Sequence, residues 1–215
     1  RGQMVHGKEG FVMCGRYTVY TEQEVTEMRE IINEINKKFG YDLKTKTSEI
    51  FPTDEAPVLV LSDGGGEAEP RPMAWGFPGW NGRGVIINAK AETVFEKKLF
   101  CSSVLSRRCV IPSTGFFEWR HAENKKQKDK FLIRFANAPV LYMAGFYNIF
   151  SRPDGSSFHG FVILTTEASG SVAQIHSRMP VVLHPEEKLP WLKDDSCAKR
   201  ILKRRGPDLF LSLVS

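Results

Sequence analysis

The sequence predicts a single α+β domain built on a curved, largely antiparallel, barrel-like β-sheet flanked by helices. Three observations carry that expectation. From Arg108 onward, short apolar and aromatic runs alternate with turn-forming residues, the pattern of successive antiparallel strands. Nearer the start, Val25, Met28, Ile32, Ile35 and Phe39 recur at spacings of three and four, which puts one apolar stripe on a helix. No internal repeat or compositional break divides the 215 residues, and 41% hydrophobic content suffices for an ordinary core.

In chain order, residues 1–12 are polar and glycine-containing and read as an N-terminal extension or vector remnant, with the folded domain expected over 13–215. Thr21-Glu22-Gln23-Glu24 matches a capping box, in which hydroxyl and carboxylate satisfy free amides at a helix start. The helix that follows should end near Gly40. Lys44 to Glu49 reads as a loop, Val58 to Leu61 as a strand, and Ser62 to Pro72, with three consecutive glycines, as a surface turn. Met73 to Phe77 and Val85 to Ile87 read as strands around a Gly-rich connection holding Trp80 and Arg83, and Ala91 to Phe100 as a short amphipathic helix. Strands are expected at Cys109 to Ile111, Gly115 to Trp119, Phe131 to Phe135, Val140 to Ile149 and Phe161 to Thr165, with turns at His121 to Lys130 and Ser151 to Ser157. The pattern closes with a helix from Glu167 to about Ile175, a strand at Val181 to Leu183, a short helix opened by Pro185, and a basic helix from Asp194 to Arg205.

Thirty Lys and Arg against 25 Asp and Glu give a formal charge of +5, which permits a polyanionic partner without requiring one. Cys14, Cys101, Cys109 and Cys197 have neither CxxC spacing nor a His pair at ligand spacing, so reduced thiols are expected, with no metal and no cofactor. The absence of a signal-peptide run or a membrane-length apolar segment points to a cytoplasmic protein, in the bacterial cytosol or at the nucleoid.

Met13-Cys14-Gly15-Arg16-Tyr17 is the stretch with the least common chemistry. A cysteine directly behind a methionine that is removed becomes a 1,2-aminothiol. Its amine condenses with an aldehyde, and its sulfur then closes a five-membered thiazolidine. The reference pKa values of about 7.7–8.0 for an α-amine and about 8.5 for a thiol leave a useful fraction of neutral amine at neutral pH. The bland alternative is a buried, inert cysteine. Glu118, flanked by aromatics, either sits in an apolar wall that raises its pKa and makes it a proton shuttle, or faces outward from a half-exposed strand. His176 can polarise an oxygen leaving a substrate or simply satisfy carbonyls at a helix end. Asn88 can orient an amine or serve as a turn residue. Arg16, Lys90, Arg107, Arg108 and Arg178 supply positive charge near these motifs, while Trp75, Phe77, Trp80, Phe116 and Phe117 supply flat faces for bases or, for at least half of them, core.

Together, Met13-Cys14-Gly15-Arg16-Tyr17, Met73-Ala74-Trp75-Gly76, Asn88-Ala89-Lys90-Ala91-Glu92-Thr93, Arg108 to Pro112 leading into Gly115-Phe116-Phe117-Glu118-Trp119, Ala144-Gly145-Phe146-Tyr147, Leu164 to Ala168 and His176-Ser177-Arg178-Met179-Pro180 resemble the SOS-response-associated peptidase (SRAP) family. The resemblance implies a DNA-repair protein that recognises abasic sites in single-stranded DNA, or at junctions with duplex, and links itself covalently to the sugar as a monomer. It implies Cys14 as nucleophile and crosslinking residue, freed at the Met13-Cys14 bond by self-cleavage or an aminopeptidase. Asn88, Glu118 and His176 match the family's active-site positions, and Arg16, Lys90 and Arg178 its DNA-contacting ones, with Trp75 beside the DNA groove. The family pattern carries Arg where this chain has Lys90. Two other readings of the same residues are a cysteine peptidase pairing Cys14 with His176 and a non-covalent single-stranded DNA binder.

Overall fold

In a computed structural model of the chain, residues 15–19, 25–40, 49–79, 83–120, 129–136 and 138–214 are described. Met13, Cys14, the capping box at Thr21 to Glu24, Trp80 and most of the His121 to Lys130 turn lie outside them.

The centre of the molecule is a closed sheet. Strands β3 (Glu55–Leu61), β4 (Ala68–Trp75), β8 (Arg108–Ser113), β11 (Leu141–Ser151) and β12 (Ser157–Glu167) pair around a ring, β4 with β3, β3 with β8, β8 with β11, β11 with β12, and β12 back to β4. Only the closing seam is parallel, Gly160 opposite Ala74 and Phe161 opposite Trp75. A Cβ at Gly160 would fall 2.6 Å from the Gly76 carbonyl oxygen, so a side chain there would push the seam apart. Closure removes the open edges and lets inward residues such as Val58, Met73, Ile111 and Phe161 pack as core.

A second sheet of five strands lies beside the barrel in the order β15 (Phe210–Val214), β10 (Asp129–Arg134), β9 (Gly115–Arg120), β1 (Tyr17–Thr18), β2 (Glu49–Ile50). All its pairings are antiparallel. The expected curved, largely antiparallel α+β architecture is therefore what the chain builds.

Helix α1 (Thr26–Phe39) buries Met28, Ile32 and Ile35, the predicted stripe, and stops at Gly40, whose φ of 68° is the left-handed cap conformation a glycine adopts without steric cost. Phe39 is 40% exposed and falls off the stripe. Glu27 of α1 bonds the Tyr142 hydroxyl on β11 and, at 3.3 Å, Lys188 at the start of α3 (Lys188–Lys193). Helix α4 (Asp195–Lys203) is capped by Asp194, which accepts from the amides of Ser196 and Cys197.

Four expectations are corrected. Ser62 to Pro72 is not all turn, because β4 begins at Ala68 and pairs along β3. Pro70 and Pro72 are tolerated there because β12 contacts β4 only at Ala74 and Trp75, leaving their other side without a ladder to interrupt. Ala91 to Phe100 forms a 3₁₀ turn at Ala91–Thr93, and the helix proper, α2, runs Lys98–Ser106. Glu167 to Ile175 is not a helix: β12 continues through Glu167 to pair with β13 (Arg178–Pro180), and one 3₁₀ turn, Val172–Gln174, fills the connection. Val181 to Leu183 divides as well, since only Val182–Leu183 forms β14, on β11.

Arg108, counted as a site cation from the sequence, is a buried clamp. Its guanidinium donates to the Val104 and Leu105 carbonyls at the end of α2 and to those of Trp191 and Leu192 on α3, and it pairs with Asp195 at 2.8 Å. Four otherwise unpartnered helix-end carbonyls thereby share one cation.

Candidate active site

Tyr17 and Thr18 of β1 lie opposite Phe116 and Gly115 of β9, and the Phe117 amide donates to the Arg16 carbonyl at 3.0 Å. Carried one residue further, this register sets Gly15 opposite Glu118. Glu118 is 3% exposed, so the sequence's choice between wall and surface falls to the wall. Chain connectivity ties Cys14, itself outside the described residues, to that Gly15.

Trp75 holds this corner to the barrel. Its indole is fully buried, meets the Tyr17 ring edge-on at a centroid distance of 5.0 Å and stacks on Phe161 at 6.4 Å. Its Nε1–H donates to the Ile87 carbonyl at 3.1 Å, on the residue before Asn88. Trp75, expected beside a DNA groove, presents no exposed face on which a base could stack. Phe77, Phe116 and Phe117 are buried too, so among the described residues all four of these aromatics are core.

Strand β7 (Asn88–Lys90) runs parallel to β12, Asn88 opposite Ile163 and Lys90 opposite Thr165. On the other side of β12, β13 sets Pro180 opposite Thr165 and Arg178 opposite Glu167. Asn88 and Arg178 are thus brought to the two flanks of one strand end. His176 stands at the base of the same connection, where its Nδ1 accepts the Arg178 amide at 3.0 Å. The same Nδ1 lies 3.3 Å from the Arg178 carbonyl oxygen, so both backbone groups of Arg178 face this ring edge.

Arg178 reaches across β12. It grips Glu92 with two parallel bonds of 2.6 and 2.7 Å and donates to the Thr165 carbonyl at 2.7 Å, leaving its side chain 13% exposed. The Arg178 guanidinium holds the Glu92 carboxyl below its ordinary range. The sequence named Arg178 as a DNA contact; its donors are instead largely engaged within the protein. Glu92 was read only as part of a motif, and no local signal reveals a partner 86 residues away.

Arg16 is placed differently. Its guanidinium lies between two rings, 4.6 Å from the Phe51 centroid and 5.1 Å from that of Trp119, with Glu49 at 3.5 Å and 39% of the side chain exposed. Lys130 adds a second cation over Phe117 at 4.0 Å. Lys90 is exposed on β7 and lines, with Asn88, Lys97 and Leu99, a shallow pocket of about 520 Å³. The elements that bear the site residues are linked by neighbour contacts: β9 to β1, Tyr17 to Trp75, Trp75 to Ile87, β7 and β13 to β12, and Arg178 to both Thr165 and His176. Among the described residues, no helix is long and apolar enough to cross a membrane.

Comparison with known proteins places this geometry. The model of the SOS response associated peptidase (SRAP) family matches residues 13–208. Abasic site processing protein YoqW of Bacillus subtilis (strain 168) is 30% identical over 211 residues, covering 94% of this chain and 86% of that protein. Abasic site processing protein YedK of Escherichia coli (strain K12) is 30% identical over 192 residues, covering 87% and 82%. A crystal structure of a Bacteroides thetaiotaomicron protein superposes with a TM-score of 0.75 at 22% identity, over 94% of this chain and 92% of that one, a likeness of fold. The match runs from the Met13-Cys14 segment past the strand bearing Glu118 to the connection bearing His176, and the chain belongs to the SOS response associated peptidase family.

Proposed function

We propose that this protein processes abasic sites in DNA by forming a covalent thiazolidine with the open sugar through Cys14, once everything ahead of Cys14 has been removed. The observation that carries the reading is the burial of Glu118 on β9, the strand paired with β1, whose first residue lies three positions after Cys14. A carboxyl excluded from water is suited to moving protons near neutral pH. Membership of a family whose relatives are named abasic site processing proteins supplies the substrate class.

The chemistry balances without a cofactor. The ring-closed abasic sugar opens to its C1′ aldehyde as Glu118 takes the C1′ hydroxyl proton, the bond from C1′ to the ring oxygen breaks, and the proton passes to that oxygen, which His176 assists by hydrogen bonding. The neutral α-amine of Cys14 adds to the aldehyde carbon to give a carbinolamine. Glu118 takes the surplus ammonium proton and returns it to the hydroxyl, which leaves as water and forms an imine. The Cys14 sulfur then bonds the imine carbon while the thiol proton passes to nitrogen, closing the ring. Asn88 orients the amine through its amide, and Arg16 and Lys90 hold the flanking phosphates of single-stranded DNA. Release of the preceding residues uses the same nucleophile or an aminopeptidase.

The test is a chain beginning at Cys14, mixed with single-stranded DNA carrying one abasic site and run on a denaturing gel. A shifted band is expected for the native sequence, none for Cys14→Ala, and a rate lowered by about 10²–10⁴ for Glu118→Gln. A full-yield adduct from Cys14→Ala would overturn the proposal. Turnover of an unrelated peptide without adduct would identify a cysteine peptidase, and salt-sensitive binding indifferent to the lesion a non-covalent binder.

A further inference from the structure

Beyond the site, α4 walls a groove of about 880 Å³ that nothing above uses. Its opposite wall is the far end of β12 and the segment after β7, so it begins where the Arg178–Glu92 pair ends: Glu92 both grips Arg178 and lines the groove. Helix α4 turns Cys197, Ala198, Ile201 and Leu202 into the core, which leaves Lys199 and Lys203 on the exposed side, one helical turn and about 6 Å apart along the axis. Arg205 extends the row past the helix end.

The charges in the groove do not cancel. Glu92 is taken by Arg178, and Arg204 is taken by Glu187. Among the described residues, Lys199, Lys203 and Arg205 form no ion pair, and Glu167 is the one carboxylate in the groove outside such a pair. Half-buried Phe95 gives the floor an apolar ring. A row of spaced cations over an aromatic floor matches a phosphodiester chain with an unstacked base, which needs both charge neutralisation and a flat face.

We infer that this groove binds single-stranded nucleic acid flanking the lesion, extending the path from Lys90 past Arg178 onto α4. The inference rests on the reading of the protein as a DNA-binding one, and it assigns a second contact surface that adjoins the Arg178–Glu92 pair.

The test compares the native chain with Lys199→Glu/Lys203→Glu, and with Lys37→Glu/Lys193→Glu as a charge-matched control on exposed positions of α1 and α3. Binding of undamaged single-stranded oligonucleotides is followed by anisotropy across a salt series, using one oligonucleotide that spans only the lesion site and one extended on both sides. For the extended one, the groove variant should bind about tenfold more weakly, with a log K against log salt slope shallower by about 1.4, two single-strand phosphates at about 0.7 each. The short oligonucleotide should bind both proteins equally, and the control should match the native chain. An unchanged slope, or an equal loss in the control, overturns the inference. So does a groove variant that keeps the nucleic-acid slope but loses thermal stabilisation by inorganic phosphate, since the groove would then be a small-anion site. Should the native chain form no adduct with abasic DNA while the slope difference stands, the lesion chemistry falls and the groove remains.

Discussion

Arg16 and Arg178 enter through the same family resemblance, as cations for DNA, and the fold treats them in opposite ways. Arg16 rests between the Phe51 and Trp119 rings with 39% of its side chain exposed, its carboxylate partner Glu49 standing off at 3.5 Å. Arg178 is 13% exposed and commits two parallel bonds to Glu92 and a third to the Thr165 carbonyl. Rings hold a guanidinium in place while leaving its N–H groups available, whereas a bidentate carboxylate uses them. Arg16 thus keeps part of its side chain open to solvent. Arg178 is a tether that pins β13, and with it His176, to the segment after β7.

Trp75 anchors the Arg16 side of the molecule to the barrel. Trp75→Ala should lower stability by about 3–5 kcal/mol through the cavity and the lost indole bond, and calorimetry should show it even without DNA. A variant as stable as the native chain would mean that the Tyr17–Trp75–Phe161 contacts do not couple the two sheets. Next, Arg178→Ala should cost about 2 kcal/mol, or about 4–8 °C in Tm, and Arg178→Lys should restore little because an ammonium cannot reproduce the fork. A wild-type Tm would return Arg178 to the surface.

Arg16→Ala sharpens the other half. Its Tm should move by the equivalent of about 1 kcal/mol or less, while the slope of log K against log salt for single-stranded DNA becomes shallower by about 0.7. Loss of stability with an unchanged slope would exchange the roles of the two arginines. The smallest effect is one of pH. Because Arg178 holds the Glu92 carboxyl below its ordinary value of 4.5, their pairing contributes fully above that value and is lost as pH falls through the lower folded-state pKa. The Tm gap between native chain and Glu92→Gln, about 1 kcal/mol or less near neutrality, should hold down to about pH 5 and close below it. A gap that widened on acidification would contradict the tether.

What the sequence disclosed was local. The α1 stripe, its glycine stop, and the strands bearing Glu118 and Tyr147 follow from periodicities that repeat within one element. A barrel-like sheet was expected, but not which strands close it, because the seam joins Ala74–Trp75 to Gly160–Phe161 and two paired residues leave no periodic signal. The segment after Thr165 misled for the same reason: apolar residues at Val172 and Ile175 suggest a helix, while pairing of Thr165, Thr166 and Glu167 with β13 keeps the chain extended. Site residues were legible as types and not as environments. A tryptophan in a family motif can face a groove or the core, and only the packing against Tyr17 and Phe161 decides it for Trp75. Glu118 resolved the other way round, its aromatic neighbours in sequence being a fair guide to its burial.

The proposed chemistry needs both the amine and the sulfur of Cys14, and intact mass spectrometry measures this directly. A chain beginning at Cys14, incubated with an abasic single-stranded oligonucleotide and denatured, should gain the oligonucleotide's mass less one water. Cys14→Ser, which keeps the amine and loses the ring-closing sulfur, should hold the oligonucleotide only after cyanoborohydride reduction. A stable adduct with the same mass gain and yield from Cys14→Ser, without reduction, would contradict this requirement.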